Sequence, residues 1–399
     1  MKRTITGEMV GIIAVLGLGV LSMSILQPVL PLYLTTIGVV PTILGLMFST
    51  AMVGMAIGES FWGWVADRLG LRIPLSVGPF VCALAVLLFL VTRGIASIFT
   101  IFFFWGFVRS ALFGPSRGYI GANAPPLKKA TFMAIITVML SASRSIGALP
   151  SGFIVDTWGY QGVFFISGGI AVAAGLIVIT RFRRTRLVQP ELLAVSSVPS
   201  DERSSLGQAF SYRPLTSQCA VTALSFLGLG VLITFLPLLA TQVVGVGPAA
   251  VGILFTINGV ATTVLGIPMG MLADRKGKRA LMMLGLLVSA SAMGGMAFVG
   301  SFNWLIVFVI LASLGMAMFS PAALGLFSDA VPLHRQSTAM GIYGGACENT
   351  GIIAGSALGG FVWSTWGPQA TFLIGTFSAI LGVILCFTLT TKKVVSANP

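Results

Sequence analysis

A chain of 399 residues that is 56% hydrophobic and 8% charged, with a mean hydropathy of +1.01, cannot be a water-soluble globule, in which charged residues make up about 25%. Its 23 Lys and Arg against 10 Asp and Glu leave a net charge of +13, a balance that in a soluble chain would point to nucleic acid. The apolar runs are long and lack the alternation of a membrane barrel, so the expected class is an all-α polytopic membrane protein.

A helix needs about 20 mainly apolar residues to cross the hydrocarbon core. The sequence offers twelve such segments, at 8–34, 42–66, 73–92, 96–122, 130–156, 160–181, 216–242, 249–273, 280–300, 303–328, 337–363 and 367–390. The positive charges then decide the orientation. Lys2, Arg3, Arg68, Arg72, Lys128, Lys129, the group from Arg181 to Arg213, Arg275 to Arg279, Arg335, Lys392 and Lys393 fall on one side of the twelve spans, and Arg93 on the other. This bias predicts a multi-pass protein of the inner or plasma membrane with both termini in the cytoplasm. Anionic lipid headgroups account for the charge without nucleic acid. Lys2 and Arg3 precede an apolar run too long for a signal peptide and without its cleavage site, so that run is expected to remain as the first span.

Cys82, Cys219, Cys347 and Cys386 lie in separate spans with no CxxC spacing. They are read as small apolar residues, with neither a disulfide framework nor a metal site. No cofactor is expected.

The first span is interrupted by Gln27, Pro28 and Pro31. Proline removes a backbone donor, so the outer half of this helix is expected to bend against the bundle. Span seven repeats the feature, Leu236-Pro237-Leu238 matching Leu30-Pro31-Leu32. The match continues through Gly38 with Gly245, Pro41 with Pro248, Gly45 with Gly252 and Phe48 with Phe255. It is strongest at Gly63-Trp-Val-Ala-Asp67-Arg68-Leu-Gly70-Leu-Arg72, which returns 207 positions later as Gly270-Met-Leu-Ala-Asp274-Arg275-Lys-Gly277-Lys-Arg279. Near the ends of spans five and eleven, Trp158-Gly159-Tyr-Gln161 matches Trp366-Gly367-Pro-Gln369 at an offset of 208. One shift covering most of the length is a parallel duplication of a six-helix unit. The expected divisions are an N-terminal bundle (1–182), a polar cytoplasmic linker (183–215) and a C-terminal bundle (216–399). The four-residue spacing of small residues in Gly147 to Gly152 and in Gly351, Gly355 and Gly359 is read as close helix packing.

The duplicated Gly-x-x-Ala-Asp-Arg-x-Gly-x-Arg pattern, the twelve spans and the basic linker resemble the major facilitator superfamily of secondary transporters, over the whole chain. The resemblance implies two six-helix bundles working by alternating access. Within that family the chain is most similar to the twelve-helix drug–proton antiporter branch, with departures. Helix five has Gly147-Ala148, a displaced Pro150 and Ser151-Gly152 where the branch has Gly-Pro followed by Gly-Gly. The branch's helix-four arginine, four residues before a glycine, falls here on Phe102 before Gly106, with Arg109 two turns further on. Asn123 stands where the family often has an acid, whereas its counterpart Asp329 keeps the charge.

Asp67 and Asp274, with Arg68, Arg72, Arg275 and Arg279 around Gly63, Gly70, Gly270 and Gly277, suit a cytoplasmic gate, a carboxylate latching against the positive end of a neighbouring helix. Asp329 is grouped with them. Glu59, Arg109, Arg144 and Glu348 are placed inside the membrane, where each charge costs at least about 2.5–3.5 kcal/mol to insert. At the repeat offsets they meet Gly266, Gly315 or a neighbour, Ile352 and Leu140, none of them charged. The duplicated residues are thus read as scaffold and gates, and the unduplicated charges as the substrate and proton site. The competing reading is that the two glutamates are static partners of the two arginines. Gln27 and Asn258 are candidates for added hydrogen bonds. Arg117, near the cytoplasmic end of helix four, could equally join the site or reach the surface by snorkelling, and His334 is read as a solvated loop residue.

The expected activity is proton-coupled export of a small amphipathic or organic-anionic compound by a monomer in the bilayer, powered by the proton gradient. One carboxylate, Glu59 or Glu348, would carry the proton, and an arginine would hold an anionic group. The alternatives are proton-linked or facilitated uptake of a small organic anion, lipid translocation, and a membrane sensor that transports nothing. HExxH, GxSxG and Walker A patterns are absent, so no enzyme is expected.

Overall fold

A computed structural model describes residues 2–123, 129–181, 213–329 and 343–387, and the described residues are almost entirely helical. The body of the expected linker, the loop carrying His334 and Arg335, and Lys392 and Lys393 lie outside them. In chain order the helices are α1 (Lys2–Leu26), α2 (Leu30–Thr36), α3 (Pro41–Leu69), α4 (Arg72–Val91), α5 (Ile95–Asn123), α6 (Lys129–Arg181), α7 (Arg213–Leu238), α8 (Pro248–Lys276), α9 (Lys278–Ala297), α10 (Phe302–Asp329) and α11 (Asn349–Cys386). Two π-helical turns, Leu239–Val243 and Tyr343–Glu348, follow α7 and precede α11.

Among the described residues, ten helical segments are long and apolar enough to cross a membrane. Two of them, Met139–Thr180 and Tyr343–Cys386, run to 42 and 44 residues, about twice what one crossing requires. Each is broken once, at Gly159 (φ 70°) and at Gly367 (φ 86°). A side chain would strain that left-handed backbone, and the glycines are the ones the repeat pairs at an offset of 208. Counting each broken helix as two crossings returns the twelve expected from composition.

The proline signals also translate into backbone. The first span stops at Leu26 and restarts at Leu30 with Pro31 in its first turn, where a missing N–H is tolerated. In α7 the matching Pro237 leads into the π-helical turn at Leu239–Val243. Pro41 and Pro248 begin α3 and α8.

The chain forms two compact units, Met1–Ala194 with Pro237–Val260, and Val195–Leu236 with Ala261–Pro399. In the first, α3 lies along α5, α1 along α6, and α4 against both α5 and α6. In the second, α9 packs on α10 and α11, around a core that includes Met282, Leu286, Phe319, Phe327 and Tyr343.

Candidate functional site

Close backbone contact builds the charged region of the first unit. A Cβ on Gly54 or Gly58 of α3 would collide with the Phe103 or Phe107 carbonyl of α5, and one on Gly106 of α5 with the Ala51 carbonyl. Small residues therefore let the two helices touch through their backbones. The indole of Trp62 fastens the pair by donating to the Phe107 carbonyl at 2.9 Å. This contact sets Met55 and Glu59 of α3 beside Arg109 of α5. The Arg109 Nη2 donates to Met55 Sδ at 3.0 Å, and its guanidinium lies 5.3 Å from the centre of the Trp105 ring, one turn earlier on the same helix. Arg144, Cys82 and Glu59 all act electrostatically on it.

Glu59 and Arg109 are partly buried and Arg144 is exposed. Both Glu59 and Arg144 have interaction partners. Two of the other predicted site charges, Glu59 and Arg144, thus lie within electrostatic range of Arg109. Trp105, Met55 and Cys82 join them and were not anticipated. Trp105 had a readable signal, its spacing of four from Arg109; Met55 and Cys82 reach the site only through tertiary packing.

Asn258 lies on the part of α8 that packs against α6 in this unit. Thr256 Oγ1 donates to the Ser145 carbonyl at 3.3 Å, and Ser145 follows Arg144 in sequence. A Cβ at Gly252 would crowd the Ala148 carbonyl, and one at Gly152 would collide with Pro248. The small-residue run of helix five is therefore a packing face. Gln27 sits at the break between α1 and α2, where its backbone N–H donates to the Met23 carbonyl.

Glu348 belongs to the second unit and ends the π-helical turn Tyr343–Glu348. Such turns add a residue to a helix and re-aim the side chains around them. Glu348 is partly buried and has an interaction partner. The Tyr343 and Thr222 hydroxyls lie near one another, at 2% and 0% exposure, without meeting hydrogen-bond geometry.

One reading of the cysteines is corrected here. Cys219 of α7 and Cys347 of the π-helical turn are disulfide-bonded, with Cα atoms 5.0 Å apart across 128 positions. Gly351 and Gly355 of α11 meet the Ala223 and Leu227 carbonyls of α7, and this approach, whose partner helix the spacing does not name, brings the sulfurs together. Cys82 and Cys386 are free and buried.

The gate repeats form two matching helix–turn–helix corners. Gly70 (φ 89°) separates α3 from α4, and Gly277 (φ 97°) separates α8 from α9. These positions need left-handed backbone, which explains why the glycine is duplicated. Arg68 lies over the Trp64 ring at 4.7 Å. At the second corner Lys278 Nζ donates to the Gly325 carbonyl of α10 at 3.3 Å, while the Nε of Arg279 is buried with no hydrogen-bond partner among the described residues. The side chains of Asp67, Asp274, Asp329, Asn123 and Arg117 lie outside the described residues. Among those described, no group of three or more His, Cys, Asp or Glu is placed to hold a metal ion.

The sequence matches the model of the Major Facilitator Superfamily twice, over residues 12–220 and 218–399. The multidrug resistance protein MdtG of Klebsiella pneumoniae is 24% identical over 369 residues, 88% of this chain and 85% of that protein. An uncharacterized MFS-type transporter of Methanocaldococcus jannaschii is 20% identical over 371 residues, covering 91% and 93%. Among solved structures, the nucleoside transporter NupG aligns with a TM-score of 0.78 at 13% identity, over 96% of this chain and 99% of that one. A D-xylose–proton symporter aligns with a TM-score of 0.78 at 15% identity, covering 97% and 98%. At such identities the structures speak for the fold alone. The double match, one for each half of a duplicated helical membrane protein, makes this chain a member of the major facilitator superfamily and a transporter.

Proposed function

We propose that this chain exports small amphipathic or organic-anionic compounds across the cell membrane in exchange for protons, by alternating access, with both termini on the cytoplasmic side. The observation that carries the reading is the cluster of Glu59, Arg109 and Arg144 inside the first unit, residues with no charged counterpart in the repeat. Glu59 and Arg109 are partly buried in membrane spans, where charge is costly to insert, so their retention fits a working site. The relatives named as multidrug resistance proteins support export.

In this reading Glu59 or Glu348 takes up and releases a proton as its surroundings change between water, apolar protein and arginine. The two glycine corners carrying Asp67 and Asp274 act as cytoplasmic gates. The second reading, gradient-driven uptake of a small organic anion, is favoured by the excess of arginine over carboxylate in the first unit.

Flux in proteoliposomes, with and without an imposed proton gradient, tests both. Substrate movement opposite to the proton flow supports exchange. Movement in the same direction overturns export in favour of uptake, and flux that ignores the gradient removes the proton from the mechanism.

A further inference from the structure

Two buried donors of the first unit lack an acceptor among the described residues. The indole N–H of Trp105, a residue 3% exposed, and the Nε–H of Arg109 have no hydrogen-bond partner among the described residues. They lie one turn apart on α5, with the guanidinium over the ring. Neither side chain can accept a hydrogen bond, so they cannot satisfy each other. An unmet buried donor costs stability, and two at one place call for an explanation.

Their neighbours are sulfur. Met55 Sδ accepts from Arg109 Nη2 at 3.0 Å. The Cys82 thiol, 2% exposed, lies beside both Arg109 and the indole N–H without completing a hydrogen bond to the latter. Thioether and thiol sulfurs are weak acceptors. The thioether therefore gives up the Nη2 donor at little cost to a stronger acceptor, and the Nε and indole donors are already unmet. Charge bears on that acceptor too. Among the groups acting on Arg109, Arg144 is positive and Glu59 negative, so an anion entering here meets cationic as well as anionic neighbours. Phe89 and Phe102 pack edge-on against Trp105 with ring centres 6.5 and 6.1 Å away, fixing the direction of the indole N–H.

We infer that Arg109 and Trp105 together bind an oxyanion of the substrate, a carboxylate or a group of like geometry, with Trp105 as a specificity-determining residue and the Met55 sulfur as a displaceable acceptor. This rests on the transport reading above and narrows it, for it excludes lipophilic cations as the preferred cargo. At the repeat offset Arg109 falls on Gly315 or a neighbour, and Gly315 is packed against Gly285 and Ser289 of α9.

The test uses the purified full chain and three compounds on one skeleton: phenylbutyrate, phenylbutanamide and phenylbutylammonium. Binding is read in detergent from the rise in thermal unfolding midpoint and from the change in tryptophan fluorescence. Flux is read in proteoliposomes under a proton gradient. Phenylbutyrate is expected to bind and the ammonium compound not to compete with it. Arg109→Lys keeps the charge but loses the fork, and Trp105→Phe keeps a ring but loses the N–H. Each should raise the phenylbutyrate Kd about tenfold or more, while the ligand-free unfolding midpoint stays near that of the parent, showing that the variants fold. Failure of phenylbutyrate to bind at millimolar concentration, equal binding of the ammonium compound, or full affinity in both variants would each overturn the inference. Gradient-driven flux of the ammonium compound would overturn it while leaving proton-coupled export standing. Phenylbutyrate binding that depends on Arg109 and Trp105, without gradient-driven flux, would uphold it and remove the coupling.

Discussion

The two units carry related sequences and use matching positions differently. Where the first has Glu59 on α3, the second has Gly266 on α8, and a Cβ there would meet nothing within 4 Å. Where the first has Arg109 on α5, the second has Gly315, which closes α10 onto α9. The exchange also runs the other way. Glu348 corresponds to Leu140, which is 5% exposed, and the bonded pair Cys219 and Cys347 corresponds to Ile12 and Met139. The glycine corners, by contrast, are the same in both units. The residues of the glycine corners, their charges included, are kept in duplicate, whereas the charges within the spans and the bonded cysteines are not. The first unit carries Glu59 and Arg109 within its spans, and the second carries a carboxylate on a π-helical turn and a covalent tie.

The widest break in this comparison should come from the carboxylates. Glu59→Gln and Glu348→Gln, made separately, remove a titrating group with little change in shape. At least one should abolish gradient-driven flux in proteoliposomes while leaving gradient-independent exchange measurable. Full proton-driven flux in both variants would return the two glutamates to the role of static partners of the arginines.

The covalent tie should matter next, and for stability. Closing a long loop typically stabilises a fold by about 2–4 kcal/mol. Cys219→Ser or reduction should therefore lower the thermal unfolding midpoint, whereas Cys82→Ala should leave the redox dependence intact. Equal midpoints with and without reductant would mean that the tie adds nothing. A smaller effect is expected at the helix contact. Gly58→Ala places a methyl group against the Phe107 carbonyl and the Ser110 hydroxyl, an overpacking that costs about 1–3 kcal/mol. Gly266→Ala should be neutral or slightly stabilising, since the space is open and alanine favours helix.

These contrasts mark what could be read before the fold was known. Spans, helix breaks and glycine corners are written locally, in runs of apolar residues and in Pro31, Pro237, Gly159 and Gly367, and so they were legible. The charges of the site were legible too, because a charge within an apolar run violates the local pattern. Partners were another matter. Met55 and Cys82 look like ordinary apolar residues of their helices, and only the α3–α5 contact through Gly54, Gly58 and Gly106, with α4 packed on α5, brings them to Arg109. The disulfide was misread for the same reason. Cysteines 128 positions apart carry no spacing signal, and the glycines that bring their helices together were read as packing without a view of what lay beside them.

The gates supply the finest comparison. Their ten-residue patterns match, yet at the position after the turn glycine the first has Leu71 and the second Lys278. Leu71 is buried, whereas Lys278 reaches across to the Gly325 carbonyl of α10. In the proposed gate the first corner would rely on its acid, and Asp67→Asn should slow cycling in the flux assay while sparing substrate affinity; an unchanged rate would remove Asp67 from the gate. The second corner has an additional hold. A charged donor on a backbone carbonyl contributes about 1.5–3 kcal/mol when dry and less where water competes, and Lys278 is only partly buried. Lys278→Leu, which makes the second corner resemble the first, should thus cost about 1 kcal/mol or less in stability. Its clearer effect should be on Asp274: with Lys278 in place Asp274→Asn should be milder than Asp67→Asn, and in the Lys278→Leu background the two should become alike. If Asp274→Asn is as damaging as Asp67→Asn in the parent chain, the lysine adds no hold of its own and the two corners work as equals.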